Sequence, residues 1–374
     1  MSDAIFSPTR CVINLGAIRR NFKALGSPAS LMPVIKSDAY GHGLLETAKA
    51  LDEAGAVRFA VGCAQEGKAL RDAGFGQEIV ALMGCLTPED WELAQASDLT
   101  PLVGSFADLE TAEAIVEKPQ KICVKCDTGM SRLGFSLDET SALIERLRSL
   151  EKLKPVMVAS HFACADMPEE TGYTAYQTAI FNKFYEEFKT AFPFVAPSLG
   201  NSAASLARAE KEEGIFRPGL ILYGGNPFHN TASVSLGAKL EQAMSVHAPV
   251  IAIRNLEKGQ SVSYGCSYIA PRAMRAAVVG CGYSQGYSRS LSNRARVVVN
   301  GKSAPQIGKI CMGMFMIDIS DFTDIAIGDA VWITGGPADA SPVTLRELAD
   351  LAGSIPYELM CVFGAMNPRS YEEK

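Results

Sequence analysis

No run of apolar residues in this 374-residue chain is long enough to span a bilayer, so no membrane partner is expected. Blocks of like charge are also missing. With a net charge of -6 and a pI near 5.4, the chain has no basic face to offer nucleic acid or an anionic membrane surface. The first residues, Met1-Ser-Asp-Ala-Ile-Phe-Ser-Pro-Thr9, lack a basic segment followed by an apolar one. No secretory signal is read there, and a cytoplasmic location is expected. Ten cysteines in that compartment read as reduced thiols acting as small apolar side chains. Cys123-Val-Lys-Cys126 has CxxC spacing but lacks a second pair or a histidine cluster, so core packing is the reading and no metal site is expected. Charged residues make up 20% of the chain, below the usual quarter or so. That leaves surface to bury and points to an oligomer.

What the chain has is alternation. Leu31-Met-Pro-Val-Ile35 reads as a buried strand that ends on Lys36, before a glycine-rich turn. Strand-like runs recur at Arg58–Gly62, Glu78–Met83, Leu99–Val103, Lys121–Cys126, Pro155–His161, Phe194–Leu199 and Ile215–Leu222. Helical patterns lie between them, including Leu44–Ala54, Pro88–Ala96, Asp108–Val116, Leu137–Leu150, Ala175–Ala191 and a shorter Ser202–Glu210. Asn14 caps a helix running through Ile18 to Leu25. Eight such repeats predict a (β/α)₈ TIM-type barrel. A doubly wound sheet would carry a phosphate-binding glycine fingerprint after its first strand, and Lys36-Ser-Asp-Ala-Tyr-Gly-His-Gly43 is not one.

After Asn226-Pro227 the pattern turns to short β runs at Met244–Ile253, Ser261–Tyr268, Ala276–Val279, Arg296–Val299, Ile307–Ile319 and Ala330–Thr334. A helix near Leu345–Ala352 precedes a final run through Cys361. The expected domains are a barrel over 11–230 and a mainly β domain over 231–374 together with residues 1–10. The barrel's strand ends carry Lys36, Lys125, Asp127, His161, Asn201, Ser202 and Arg217, and barrel active sites form at that face. Taken singly, a strand-end lysine is more often a surface residue, and a lone histidine more often a satisfied core residue. Here Val34 and Ile35 would bury the Lys36 stem, and an amine so held can shed its proton and form a Schiff base.

Val34-Ile-Lys-Ser-Asp-Ala-Tyr-Gly-His-Gly43 resembles the cofactor-lysine motif of the alanine racemases, pyridoxal-phosphate enzymes with a barrel followed by a β domain. Further segments resemble family motifs in family order. They are Lys125-Cys-Asp-Thr-Gly-Met-Ser-Arg-Leu-Gly134, Ser160-His-Phe-Ala163, Gly200-Asn-Ser-Ala203, Arg217-Pro-Gly-Leu-Ile-Leu-Tyr-Gly224, Val262-Ser-Tyr-Gly265, Gly282-Tyr-Ser-Gln-Gly-Tyr-Ser-Arg289, Cys311-Met312 and Ile355-Pro-Tyr-Glu358. The resemblance covers nearly the whole chain.

It implies that Lys36 holds pyridoxal 5'-phosphate and serves as one acid/base, with Tyr264 as the other on the opposite face of the substrate. His161 would lower the cost of ionising Tyr264. Arg217 would face the cofactor's pyridine nitrogen. Tyr40, Ser202, Gly219, Leu220 and Tyr357 would hold the phosphate. Arg132 would bind the substrate carboxylate, helped by Lys125 as a carbamate, and Met312 would line the substrate pocket. Tyr283 and Arg289 would line an access channel. Tyr264 and Met312 would come from the partner subunit, which makes a homodimer with shared sites a mechanistic requirement.

The implied activity is L- and D-alanine interconversion by two bases, supplying D-alanine for peptidoglycan. The sequence departs from the family at Gly313 (usually aspartate), Ser198 (histidine), Lys309 and Met366 (arginine) and Gln285 (aspartate). A racemase of serine or of broad specificity, a related pyridoxal-phosphate decarboxylase and a non-catalytic cofactor-binding protein are the alternatives.

Overall fold

A computed structural model of the chain describes residues 7–167, 171–207, 214–337 and 341–374. The chain forms two compact units. One is Ile18–Ala39 with Leu44–Glu241; the other joins the residues through Ala17, Tyr40–Gly43 and Gln242–Lys374.

The first unit is the expected barrel. Six parallel strands, Arg58–Val61, Glu78–Ala81, Thr100–Val103, Gln120–Lys125, Leu153–Ala159 and Ala196–Ser198, pair in sequence order. Parallel strands covered on both faces need apolar residues on both. Phe59, Ile79, Val103, Val124 and Val158 meet that need and are fully buried. Two shorter segments close the ring. Val34 bridges Ala60 on one side, and Leu31 bridges Phe216 on the other. The Met32 and Val34 amides donate to the Phe216 and Pro218 carbonyls at 2.8 Å, and the Ile215 and Arg217 amides to those of Pro197 and Gly200 at 2.9 Å.

Pro33 and Pro218 have no N–H, so neither segment can extend into a full ladder. The strand expected over Ile215–Leu222 therefore stops early, and Leu220–Tyr223 forms a 3₁₀ turn. The helix Pro88–Ala96 starts at a Thr87 cap with Asp90 completing a capping box. Ser105 and Asp108 do the same for Phe106–Ile115, which begins ahead of the expected Asp108. The expected Ser202–Glu210 helix is present as Ser202–Ala207; residues 208–210 lie outside the described residues.

In the second unit Met244–Leu256 is the organising strand. It pairs antiparallel with Arg10–Asn14, Ala330–Thr334 and Met274–Val279. Met274–Val279 pairs in turn with Phe315–Asp318, so the sheet curls back on itself. Met244, Val246, Ala248 and Val250 point inward and are buried, the period-two pattern of a strand with one face in a core. Arg10–Asn14 also pairs parallel with Arg369–Glu372. The run expected over Ile307–Ile319 is two strands, Lys302–Ile307 and Phe315–Asp318, and the final run is the helix Pro356–Met366. Asn14 caps the helix Leu15–Lys23, with its Oδ1 accepting from the Ala17 amide at 2.9 Å. Among the described residues no helix is long and apolar enough to cross a membrane.

Candidate active site

Lys36 ends the first barrel segment, and the backbone after it is unusual. Ser37, Asp38, Ala39 and Tyr40 have φ of 54–55°, four consecutive non-glycine residues in the left-handed region. Each costs roughly 1–2 kcal/mol relative to right-handed backbone. The turn is therefore held from outside. The Ala39 amide donates to the Ile35 carbonyl at 2.9 Å, and the Leu44 amide to Asp38 Oδ1 at 2.7 Å. The Asp38 amide donates to Glu66 Oε1 at 3.1 Å, while Glu66 Oε2 accepts from the Gly62 amide at 2.7 Å. Glu66 did not stand out in the sequence. Its one signal is an acidic side chain in the first turn of the helix Ala64–Asp72.

Arg217 is buried at the opposite side of the ring closure. Its Nη1 donates to the Ser198 carbonyl at 2.7 Å and to the Ser198 hydroxyl; its Nη2 donates to the Ser160 carbonyl. The guanidinium is thus held by neutral oxygens. Burial lowers its pKa to about 10, still far above neutral pH. Its Nη2 also lies 3.5 Å from His161 Nδ1. Arginine can only donate, so Nδ1 accepts and the imidazole proton sits on Nε2. Burial, reinforced by the charges of Arg217, Lys125, Arg132 and Lys36, pushes His161 down to about 3. His161 is a neutral donor at physiological pH.

The backbone beside His161 hangs on Gln177, a fully buried residue of the helix Thr171–Ala191. Its Nε2 donates to the His161 carbonyl at 3.0 Å and to Thr128 Oγ1 at 3.2 Å, and its Oε1 accepts from the Ala163 amide at 2.9 Å. Nothing in the sequence marks this glutamine.

Lys125 ends the strand Gln120–Lys125 and is buried. Burial, then the nearby charge of Arg217 and of Arg132, lowers its amine to about 7. The loop beyond it folds back. The Phe135 amide donates to the Lys125 carbonyl at 2.8 Å, and Asp127 Oδ1 accepts from the Gly129 and Ser131 amides at 2.9 and 3.1 Å. Arg132 stands exposed on that loop. Cys123 and Cys126 are fully buried, with thiols raised to about 12 by burial. Ser202 opens the helix Ser202–Ala207, and its hydroxyl accepts from the Gly219 amide at 2.9 Å. Leu220, next in the chain, is buried. The barrel unit therefore brings Lys36, Lys125, Arg132 and Arg217 within electrostatic reach of His161, and pairs Ser202 with Gly219.

The remaining candidates belong to the β unit. Tyr40 and Tyr357 pack with ring centroids 5.8 Å apart, and burial raises the Tyr40 phenol. Gly41 is required there, since a Cβ would collide with the Met360 carbonyl. Tyr264 is 68% exposed in the turn Tyr264–Cys266, flanked by left-handed Ser263 and Gly265. Met312 is 63% exposed. Its loop is pinned by the Tyr283 and Ser284 amides, which donate to the Cys311 and Met312 carbonyls at 3.1 and 2.9 Å.

Two family models match this chain, "Alanine racemase, N-terminal domain" over residues 13–227 and "Alanine racemase, C-terminal domain" over residues 243–371. A curated alanine racemase from Nitratidesulfovibrio vulgaris (strain DP4) is 44% identical over 371 residues, covering 98% of each chain. The solved biosynthetic alanine racemase from Pseudomonas aeruginosa superposes with a TM-score of 0.86 at 33% identity, covering 98% of this chain and 100% of that one. The alanine racemase from Bartonella henselae, solved with covalently bound pyridoxal phosphate, gives a TM-score of 0.86 at 26% identity over 97% of this chain and 99% of its own. Matched in both domains, and similar to such relatives over nearly their whole length, the chain belongs to the alanine racemase family.

Proposed function

We propose that this chain is a pyridoxal-phosphate-dependent racemase that interconverts L- and D-alanine in the cytoplasm and supplies D-alanine for cell-wall peptidoglycan. The observation that carries the reading is the group of Arg217, Arg132 and Lys36, with the poised amine of Lys125, around a neutral, half-buried His161. Such a group favours anions, and both the cofactor's phosphate and an amino acid's carboxylate are anions.

The residues present fit the cofactor. Arg217 stays charged and can only donate, so it suits an unprotonated pyridine nitrogen. Ser202 uses a lone pair on the Gly219 amide and keeps its own O–H to give to phosphate. Tyr40, Tyr357, Gly219 and Leu220 would complete that cradle. Bound there, pyridoxal phosphate supplies an electron-withdrawing ring that stabilises negative charge at the substrate α-carbon.

The chain's own residues do the rest. Lys36 holds the cofactor through Nζ, then removes or returns the α-proton on one face. Tyr264 of the partner subunit does so on the other. His161, neutral and protonated on Nε2, donates to that tyrosine's oxygen and makes the phenolate cheaper to form. Arg132 holds the substrate carboxylate, and Lys125 as a carbamate steadies Arg132. Met312 of the partner subunit borders the substrate. The exposure of Tyr264 and Met312 supports their service in a homodimer with shared sites.

One observation favours a wider substrate range. Gly313, next to Met312, stands where the family usually carries a larger aspartate. Serine and other small amino acids are therefore included in the test. The test is an α-proton exchange and chirality assay with the holoenzyme across the common amino acids in deuterated solvent. Deuterium incorporation with inversion, fastest for alanine, is expected. Carbon dioxide release without inversion would make the protein a decarboxylase; bound cofactor without exchange would make it a carrier.

A further inference from the structure

We propose that Glu66 is a positioning residue for Lys36, acting through the left-handed turn that follows it. The inference rests on the reading of Lys36 as the cofactor-holding residue. Three observations meet at this carboxylate. Ser37, Asp38 and Ala39 stand in the left-handed region directly after Lys36, where unsupported non-glycine backbone relaxes. Glu66 holds the middle of them, with Oε1 accepting from the Asp38 amide at 3.1 Å. Its other oxygen accepts from the Gly62 amide at 2.7 Å, at the end of the neighbouring strand Arg58–Val61.

One side chain thus ties the lysine's turn to the next strand end. Gly62 keeps that tie short. A Cβ there would lie 3.0 Å from Glu66 Oε2 and 3.5 Å from Lys36 Cβ, so nothing larger separates the three. Asp38 turns its own carboxylate the other way, to the Leu44 amide at 2.7 Å, and so cannot replace Glu66.

The chemistry needs a carboxylate. Two amides must be accepted at once, one by each oxygen. Glutamine offers one acceptor oxygen and would point an NH₂ at the second amide. Aspartate is one methylene short. Removing a charged acceptor from two amides is worth roughly 10- to 100-fold in the population of the ordered turn, and a ligand that needs this turn loses affinity in proportion.

The test compares wild type, Glu66→Gln, Glu66→Ala and Gly62→Ala in the full-length protein. Hydrogen–deuterium exchange is followed over the segment 36–40 with and without pyridoxal phosphate. Cofactor dissociation constants and the visible circular dichroism of bound cofactor are measured alongside. Both Glu66 variants should exchange faster at 36–40 while the segment 120–125 stays as in wild type. They should bind cofactor about 10- to 100-fold more weakly and lose dichroic intensity. Gly62→Ala, which keeps the carboxylate but crowds it, should lie between; it serves if Glu66→Ala fails to fold.

Glu66→Gln with wild-type exchange, affinity and dichroism would overturn the proposal. If the wild-type protein carried no borohydride-fixed cofactor on its Lys36 peptide, the reading of Lys36 would fail instead. The exchange at 36–40 would then decide the role of Glu66 by itself.

Discussion

Lys125 provides the sharpest chemical prediction. Its amine is lowered from 10.5 to about 7, first by burial and then by Arg217 and Arg132. At pH 7.4 an ordinary lysine keeps roughly one neutral amine in a thousand, and an amine titrating near 7 is about two-thirds neutral. The nucleophilic form is therefore enriched roughly 700-fold. A neutral amine adds to carbon dioxide and releases one proton, leaving a carbamate. That step turns a neutral amine beside Arg217 into an anion, which the surrounding positive charges favour.

The assay is carbon-13 NMR of the protein in labelled bicarbonate, with Lys125→Met as control. One carbamate resonance should appear in wild type and vanish in the variant, growing as pH rises through about 7. The linkage has a definite sign. The folded pKa lies below the unfolded one, so unfolding takes up a proton between about pH 7 and 10.5. Stability of the unmodified protein should rise across that window, and Lys125→Met should flatten the rise. No carbamate signal, or the same signal in Lys125→Met, would mean that the Lys125 amine does not take up carbon dioxide.

Ser198→Ala removes a hydroxyl that accepts from Arg217 and donates to the Ile215 carbonyl at 2.7 Å. Thermal denaturation should show a loss of about 1–3 kcal/mol, and an unchanged melting temperature would contradict it. His161 titrates at about 3 when folded and near 6.5 when unfolded, so its contribution to stability is lost as pH falls across that interval. A His161→Asn variant should show a shallower acid limb in its pH–stability curve, and an identical limb counts against the burial of a neutral imidazole. Tyr287 is buried against Phe315, with no hydrogen-bond partner for its hydroxyl among the described residues. Tyr287→Phe should be neutral or stabilising by up to about 1 kcal/mol in urea titration; a loss larger than that would mean that the hydroxyl is held.

Much of the barrel was legible because parallel strands buried on both faces write themselves as short apolar runs between amphipathic helices. The strand Glu78–Ala81 and the helix Pro88–Ala96 are examples, the latter marked by Thr87, Pro88 and Asp90. The closing segments were harder. The sequence places Arg217 at a strand end, but Pro218 stops the ladder there and the chain turns within three residues. Arg10–Asn14 was unreadable as a strand, since both its partners, Met244–Leu256 and Arg369–Glu372, lie far along the chain.

The candidate site divides in the same way. Lys36, His161 and Arg217 sit in motifs with unusual residue types. Glu66 and Gln177 are common helix residues whose roles arise only from what the fold brings against them. The left-handed turn after Lys36 was also invisible, because Ser37, Asp38 and Ala39 are not residues that demand positive φ. Tertiary contacts impose it.

The proposed bases work on opposite faces of the substrate, Lys36 in one subunit and Tyr264 of the partner subunit. The direct measurement is the rate of enantiomer interconversion by holoenzyme carrying Tyr264→Phe, with each enantiomer of alanine in deuterated solvent. With two bases, the variant should load cofactor normally, racemise roughly 10²- to 10⁴-fold more slowly, and keep α-deuterium exchange from one enantiomer only. Racemisation at the wild-type rate in both directions would contradict the two-base mechanism.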